Sequence, residues 1–313
     1  MGAKGLLIIL AILAVATLVY FLAPKGKKRD GVVQALFLAP MVVTFAITVG
    51  IPLVVGVFYS LTDWNGLSFK NFVGLGNYIK IFSQNDYVYS LLITMGFTVV
   101  NVIAVNVLAF LLALLGASDV RFSKFFRAAY FVPNLIGGIV LGYVWQFIFN
   151  KIFTLAFPVS MLTDPNLAIG AIIIVSVWQY SGYIMMIYIT GLQSVPKDVL
   201  EASGIDGASG LRTLFSIKMP MIANTFTVCL FLTLVNSFKQ FDLNFALTAG
   251  APARILAGKA IQSTEFLALN IYNTAIAKSN YALGQSKAVV FFVILAAVSL
   301  TQVYFSKKTE VEM

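Results

Sequence analysis

Seven long apolar stretches limit what this chain can fold into more than any other feature. They run approximately from Leu6 to Ala23, Val32 to Leu61, Leu91 to Leu115, Ala128 to Phe149, Ala168 to Ile189, Pro220 to Phe238 and Ala288 to Phe305. A span needs roughly 20 apolar residues to cross a bilayer, and these approach or pass that length. Lipid offers no hydrogen-bond partners, so each stretch satisfies its backbone only as a helix. Barrel strands would be shorter and would alternate, which these do not. The expected fold is an all-α integral membrane protein. Only 11% of the 313 residues are charged and 60% are apolar. A soluble domain carries about 25% charged residues, so the chain cannot coat a water-soluble globule.

The same composition removes several chemistries. Histidine is absent, which excludes a His triad, a His metal site and a His proton relay. One cysteine, Cys229, allows neither an intrachain disulfide nor a Cys-based zinc site. The net charge of +9 comes with no nucleic-acid motif. In a membrane chain, excess Lys and Arg instead set topology.

Lys25, Lys27, Lys28 and Arg29; Arg121, Lys124 and Arg127; Lys197, Arg212 and Lys218; and Lys307 and Lys308 all fall in one set of short connections. The opposite set holds Lys4, Lys70, Lys80, Lys151, Lys239, Arg254, Lys259, Lys278 and Lys287, spread over longer segments. The denser set is expected on the cytoplasmic side, with the C-terminus inside. The first stretch has a signal peptide as its rival reading. Its basic cluster follows the apolar run, whereas a signal peptide has it in front. Residues 1–31 are therefore read as an extra N-terminal helix with a basic linker, 32–306 as a six-helix core and 307–313 as a short tail. Pro40 and Pro52 predict a tilted or kinked first core helix.

The segment 193–220 reads QSVPKDVLEASGIDGASGLRTLFSIKMP. Ser194 and Pro196 suit a helix start, with Asp198 and Glu201 near the first turn, where the dipole favours negative charge. Val199 and Leu200 give a short apolar face, and Gly204 and Gly207 permit a sharp bend. Leu211, Leu214, Phe215 and Ile217 form a second stripe before Pro220. Two small helices at an angle are expected on the cytoplasmic surface. The residues alone fit equally a plain connecting loop or a docking element.

The order Glu201-Ala202-Ser203-x-x-Asp206-Gly207-Ala208, then Phe215, Ile217, Met219 and Pro220, resembles the EAA loop of binding-protein-dependent ABC importer permeases. Ser203 replaces the second alanine and Met219 a leucine. Phe72, Val73, Gly74, Leu75, Asn77 and Tyr78 resemble the string after the first core helix in the family's sugar permeases. Leu247, Thr248, Gly250 and Pro252 resemble its L-T-x-G-G-P, with Ala251 in place of the second glycine. Ile271, Tyr272, Tyr281 and Gly284 match the approach to its last helix. The resemblance covers about Val32 to Phe305 and points to the maltose and glycerol-phosphate permeases.

It implies a type I ABC importer core, without an enzyme activity of its own. No G-x-x-x-x-G-K string is present, so ATP and magnesium would belong to a separate ATPase. Val199, Leu200, Glu201, Ala202, Ser203, Ile205, Asp206, Gly207 and Ala208 would couple to that partner. The implied assembly holds a second, similar permease as a heterodimer, two cytoplasmic ATPase subunits, an extracellular solute-binding protein and a sugar substrate.

A sugar path needs aromatic faces, amides and hydroxyls within the spans. The candidates are Asn134, Gln146, Trp178, Gln179, Tyr183, Asn236, Ser237, Lys239, Gln240 and Asp242, with Asn101, Asn106, Trp145, Tyr180 and Asn244 beside them. The structural alternative is that Asn and Ser join helices and that Trp and Tyr mark the interface. Lys239 and Asp242 are expected as a salt bridge at i and i+3, or else as a site for a charged sugar. Residues 244–287 form the longest external connection, with a short helix expected around Ile255 to Leu269.

Two other classes compete. An ion-coupled secondary transporter would place carboxylates deep in the spans, whereas here the Asp and Glu residues fall in loops or near helix ends. An intramembrane enzyme would need catalytic equipment that this composition lacks.

Overall fold

A computed structural model of the chain describes residues 27–117, 122–256 and 258–308. The first apolar stretch, Arg121 and the tail from Thr309 lie outside the described residues. The chain divides into two compact units between Tyr59 and Ser60.

In the first unit, α1 (Lys27–Phe45) passes through a π-turn (Ala46–Gly50) into α2 (Ile51–Ser60). The turn lies just ahead of Pro52, whose missing N–H interrupts the helical ladder. Thr44 Oγ1 donates to the Pro40 carbonyl and Thr48 Oγ1 to that of Thr44, each at 2.7 Å. The expected kink is thus a local change of helical pitch.

The second unit continues with α3 (Gly76–Phe82), α4 (Asn85–Gly116), α5 (Ser123–Leu135), α6 (Gly138–Phe147), α7 (Leu167–Ser194), α8 (Lys197–Ile205), α9 (Gly210–Thr213), α10 (Met219–Met221), α11 (Ala223–Phe238) and α12 (Asp242–Leu247). An antiparallel hairpin follows, β1 (Ala253–Leu256) with β2 (Lys259–Gln262), then α13 (Leu267–Tyr272) and α14 (Tyr281–Lys307). Among the described residues, five helical segments are long and apolar enough to cross a membrane. They are six if the bent pair Gly210–Met221 and Ala223–Phe238 makes one span.

Helices α4 and α7 form the central pair, and α11 and α5 pack on them. Val105, Ala109, Ile184, Met185, Tyr188 and Cys229 are buried in their seam. Lipid is as apolar as these side chains, so close packing and polar ties hold the helices together. Asn101 Nδ2 donates to Ser237 Oγ at 2.8 Å, and Asn106 Nδ2 to Thr233 Oγ1 at 2.8 Å. Tyr188 Oη donates to Asn106 Oδ1 at 2.8 Å. These groups tie α4, α7 and α11 together.

Three expectations are corrected. The stretch from Ala128 to Phe149 is not one span. It breaks at Ile136 and Gly137 into α5, which contains Pro133, and α6. Each half packs through glycine. A Cβ at Gly182 would overlap the Tyr130 carbonyl of α5, and one at Gly142 would come within 2.6 Å of Ala246 Cβ. The helix expected around Ile255 to Leu269 is instead the hairpin, turned at Gly258 with φ +75°, and only then α13. Lys287 is no loop residue: it sits in α14, 1% exposed. Its Nζ donates to Asn270 Oδ1 and Thr274 Oγ1, and Asn270 Nδ2 donates to the buried Glu265.

The string from Phe72 to Tyr78 closes the loop after α2. Asn77 Nδ2 donates to the carbonyls of Ser60 and Thr62 at 2.9 Å. Gly74, at φ +55°, turns the chain, and Ser60 Oγ meets Tyr78 Oη at 2.6 Å.

Candidate functional site

Two features of the second unit bear on function. The first is a polar cavity of about 210 Å³ lined by Gly138, Gln179, Tyr180, Asn236, Lys239, Gln240, Phe241 and Asp242. Helix α11 ends at Phe238 and α12 begins at Asp242, so the chain turns here and presents several side chains to one space. A Cβ at Gly138 would lie 2.8 Å from Asp242 Cβ. That close approach brings α6 against the carboxylate. Gly138 and Gly142 make a G-x-x-x-G stripe, four residues apart, that seats α12. Gln146, one turn on, donates to the Leu247 carbonyl at 3.1 Å.

The break between α11 and α12 overturns the expected i, i+3 salt bridge. Lys239 and Asp242 do not share a helical face and form no ion pair, yet both line the cavity. Gln179 Nε2 donates to the Ile136 carbonyl at 3.2 Å, which leaves its Oε1 as an acceptor. Gln240 Nε2 is buried with no hydrogen-bond partner among the described residues. The cavity thus offers a cation, a carboxylate, amides, a phenol and the Phe241 ring.

Of the path candidates, Gln179, Asn236, Lys239, Gln240 and Asp242 meet here, and five others do not line the space. Asn134 lies on α5 and Gln146 is bound to Leu247. Trp178 packs edge-on against Trp145, Tyr183 packs against the central core, and Ser237 accepts from Asn101. Gly138 and Phe241 line the cavity without having been expected. Adjacent glycines such as Gly137 and Gly138 allow close helix packing, and the G-x-x-x-G spacing of Gly138 and Gly142 is a signal that could have placed Gly138 here.

The second feature is the elbow after α7. Helix α8 begins at Lys197, behind Pro196. Ser194 is not its cap: it ends α7 and donates to the Gly191 carbonyl at 2.7 Å. Helix α8 ends in a Schellman turn, with Ala208 N bonded to Ser203 O at 2.9 Å and Gly207 N to Gly204 O at 3.1 Å. Gly207 takes the left-handed conformation, φ +74°. Gly204 stays inside the helix, so the bend belongs to Gly207 alone. Ser209 then caps α9, accepting from Arg212 N, and the helical run Gly210–Met221 meets α11 at 72°.

Ile205 is 88% exposed, and Val199, Leu211 and Phe215 are exposed with it. Glu201, Ala202 and Asp206 are exposed too, whereas Ser203 is buried. Leu200 does not join the outer face: it packs against the core shared by α4 and α7. The elbow is therefore fastened to the bundle on one side and open on the other.

The chain is similar to known membrane transport proteins. The family described as "Binding-protein-dependent transport system inner membrane component" matches residues 106–311. The chain is 40% identical over 300 residues to the "Probable starch degradation products transport system permease protein AmyD" of Thermoanaerobacterium thermosulfurigenes, covering 93% of this chain and 100% of that one. It is 30% identical to the "Trehalose/maltose transport system permease protein MalF" of Thermococcus litoralis, covering 90% and 96%. Its fold matches a chain of a bacterial ABC transporter involved in import of the acidic polysaccharide alginate, with TM-score 0.75, 16% identity and coverage of 90% and 96%. The multi-pass membrane core, its five to six spans and these relatives together establish that the chain belongs to the binding-protein-dependent transport permeases, the membrane components of ABC importers.

Proposed function

We propose that this chain is a path-forming permease subunit of an ATP-driven importer of neutral oligosaccharides. The cavity at the α11–α12 break carries the reading. Lys239 and Asp242 face the same space without pairing, so one supplies donors and the other acceptors to sugar hydroxyls. The carboxylate opposes an acidic sugar. Phe241 and Tyr180 add faces on which a pyranose ring can pack. Relatives named for starch degradation products, trehalose and maltose support the neutral class.

The exposed elbow would couple this path to a separate ATPase subunit that holds ATP and magnesium. Ile205 and Val199 are the apolar anchors, Glu201 and Asp206 the polar rim and Gly207 the bend. Leu200 and Ser203, turned inward, would transmit the push to the bundle. ATPase closure would swing the helices as rigid bodies. The full assembly would contain a second permease, two ATPase subunits and an extracellular binding protein. The C-terminus would be cytoplasmic, on the elbow side.

Reconstitution of the assembly in proteoliposomes tests this. ATP hydrolysis should rise when the binding protein and maltotetraose are both present. Transport driven by an ion gradient in vesicles without the ATPase would instead establish a secondary transporter.

A further inference from the structure

A second space, lined by polar and apolar groups together, lies at the C-terminal end of α7 and the N-terminal end of α11. Ile187, Thr190, Gly191 and Ser194 of α7 and Asn224, Thr225 and Val228 of α11 line a groove of about 420 Å³. A Cβ at Gly191 would overlap Thr225 Oγ1, so this glycine lets the helices meet at the groove floor. Thr190 and Ser194 donate their hydroxyl protons to the carbonyls of Met186 and Gly191. Their lone pairs stay open. The Asn224 amide and the Thr225 hydroxyl have no partner among the described residues.

Deeper in the bundle, Asn101 is tied to Ser237, and Asn106 to Thr233 and Tyr188, whereas Thr190, Ser194 and Asn224 of the groove are exposed. In membrane bundles an untied polar group faces water or a solute. The groove also lies on the face that leads from the cavity. On α7, Tyr180, Tyr183, Ile187, Thr190 and Ser194 follow at steps of three and four. On α11, Thr225, Val228, Leu232 and Val235 do the same, and Lys239 follows at the helix end. Residues at such steps share one face. At 1.5 Å per residue, Tyr180 and Thr190 are about 15 Å apart along the axis. Tyr183 and Leu232, packed against the core, fill the stretch between with apolar surface.

We propose that this groove is a second, weaker sugar station. It would hold the hydroxyls of a neutral oligosaccharide after it leaves the outer cavity and passes the apolar stretch. This rests on the importer reading above.

The test uses the complete assembly with radiolabelled maltotetraose. The double variant Thr190→Val/Asn224→Leu removes groove polarity from exposed positions. Its maximal uptake should fall about fivefold, the size of one or two lost hydrogen bonds, while sugar-stimulated ATPase activity stays at the unaltered level. Unchanged uptake would overturn the proposal. So would parallel loss of uptake and ATPase activity, which marks damaged coupling. Asn224→Cys gives a second measure, because the native Cys229 is buried. Its reaction with a maleimide should slow while maltotetraose is being transported and recover when the binding protein is omitted. A rate insensitive to sugar, as expected if another permease helix fills the groove, overturns the assignment. If the unaltered assembly shows no sugar-stimulated ATPase, the importer reading fails, and the groove assignment with it.

Discussion

Single residues carry the polar logic of this bundle. Asn106 joins three helices through Thr233 and Tyr188, so its loss leaves a buried hydroxyl without an acceptor. Asn106→Leu should destabilise the detergent-solubilised protein by about 1–2 kcal/mol, the range of such bonds between spans. A thermal unfolding midpoint shows the drop. Asp63 works outside the bundle. The Asn71 and Lys70 backbone N–H groups donate to its Oδ1 at 2.9 and 2.8 Å and hold its pKa below the ordinary value. A depressed carboxylate contributes above its unfolded pKa, and the contribution is lost as pH falls through the folded value. The protection of the amides of residues 70 and 71 from exchange, relative to the unfolded chain, should persist from neutral pH to below the ordinary carboxylate value of about 4 and be lost only in stronger acid. Asp63→Asn should exchange fast at neutral pH as well.

At the scale of elements, the break between α5 and α6 and the elbow decide most. Helix α6 reaches α12 only because Gly138 and Gly142 lack side chains. Gly142→Leu should push α12 away, displace Asp242 and reduce sugar uptake about tenfold or more, as a misplaced site does, with membrane insertion unchanged on immunoblots. At the elbow, Gly207→Asp and Glu201→Lys should each uncouple. Uptake should be lost and the ATPase should become insensitive to sugar, while the protein stays in the membrane. Normal uptake in both variants would sink the coupling role.

These elements differ in how far the residues disclosed them. Long apolar runs announced the spans, because a membrane helix needs no finer pattern than length. The elbow was legible from Gly207 and the short stripes around it. The break at Ile136 and Gly137 was not, since both halves are apolar and hydropathy does not register a change of direction. The hairpin was missed for a related reason: Ile255 and Leu256 read equally as helix or strand until Gly258 turns them. Half of the path candidates proved to line the cavity and half did not. Span polarity alone cannot separate a cavity-lining group such as Gln240 from a helix tie such as Ser237. Only the partner across the seam decides.

At the scale of the whole molecule, the cavity lies between helices of one bundle, and its lining includes exposed Lys239 and Asp242. The five or six spans among the described residues place only part of a wall around it, which fits the second permease of the proposed assembly. The chain expressed alone should reach the membrane but transport nothing. Its Lys239→Cys variant should react rapidly with a membrane-impermeant maleimide. Joined by its partner permease, ATPase and binding protein, the same site should react at least about tenfold more slowly, because protein and sugar then cover a position that water reaches freely in the lone chain. Equal labelling in both states would mean that the cavity faces away from any partner, and the two-permease path would fall. Protection only when sugar is added would place the partner elsewhere and leave the cavity to the sugar alone. Protection by the partner before sugar, deepened when maltotetraose is being transported, is the outcome expected of a shared path.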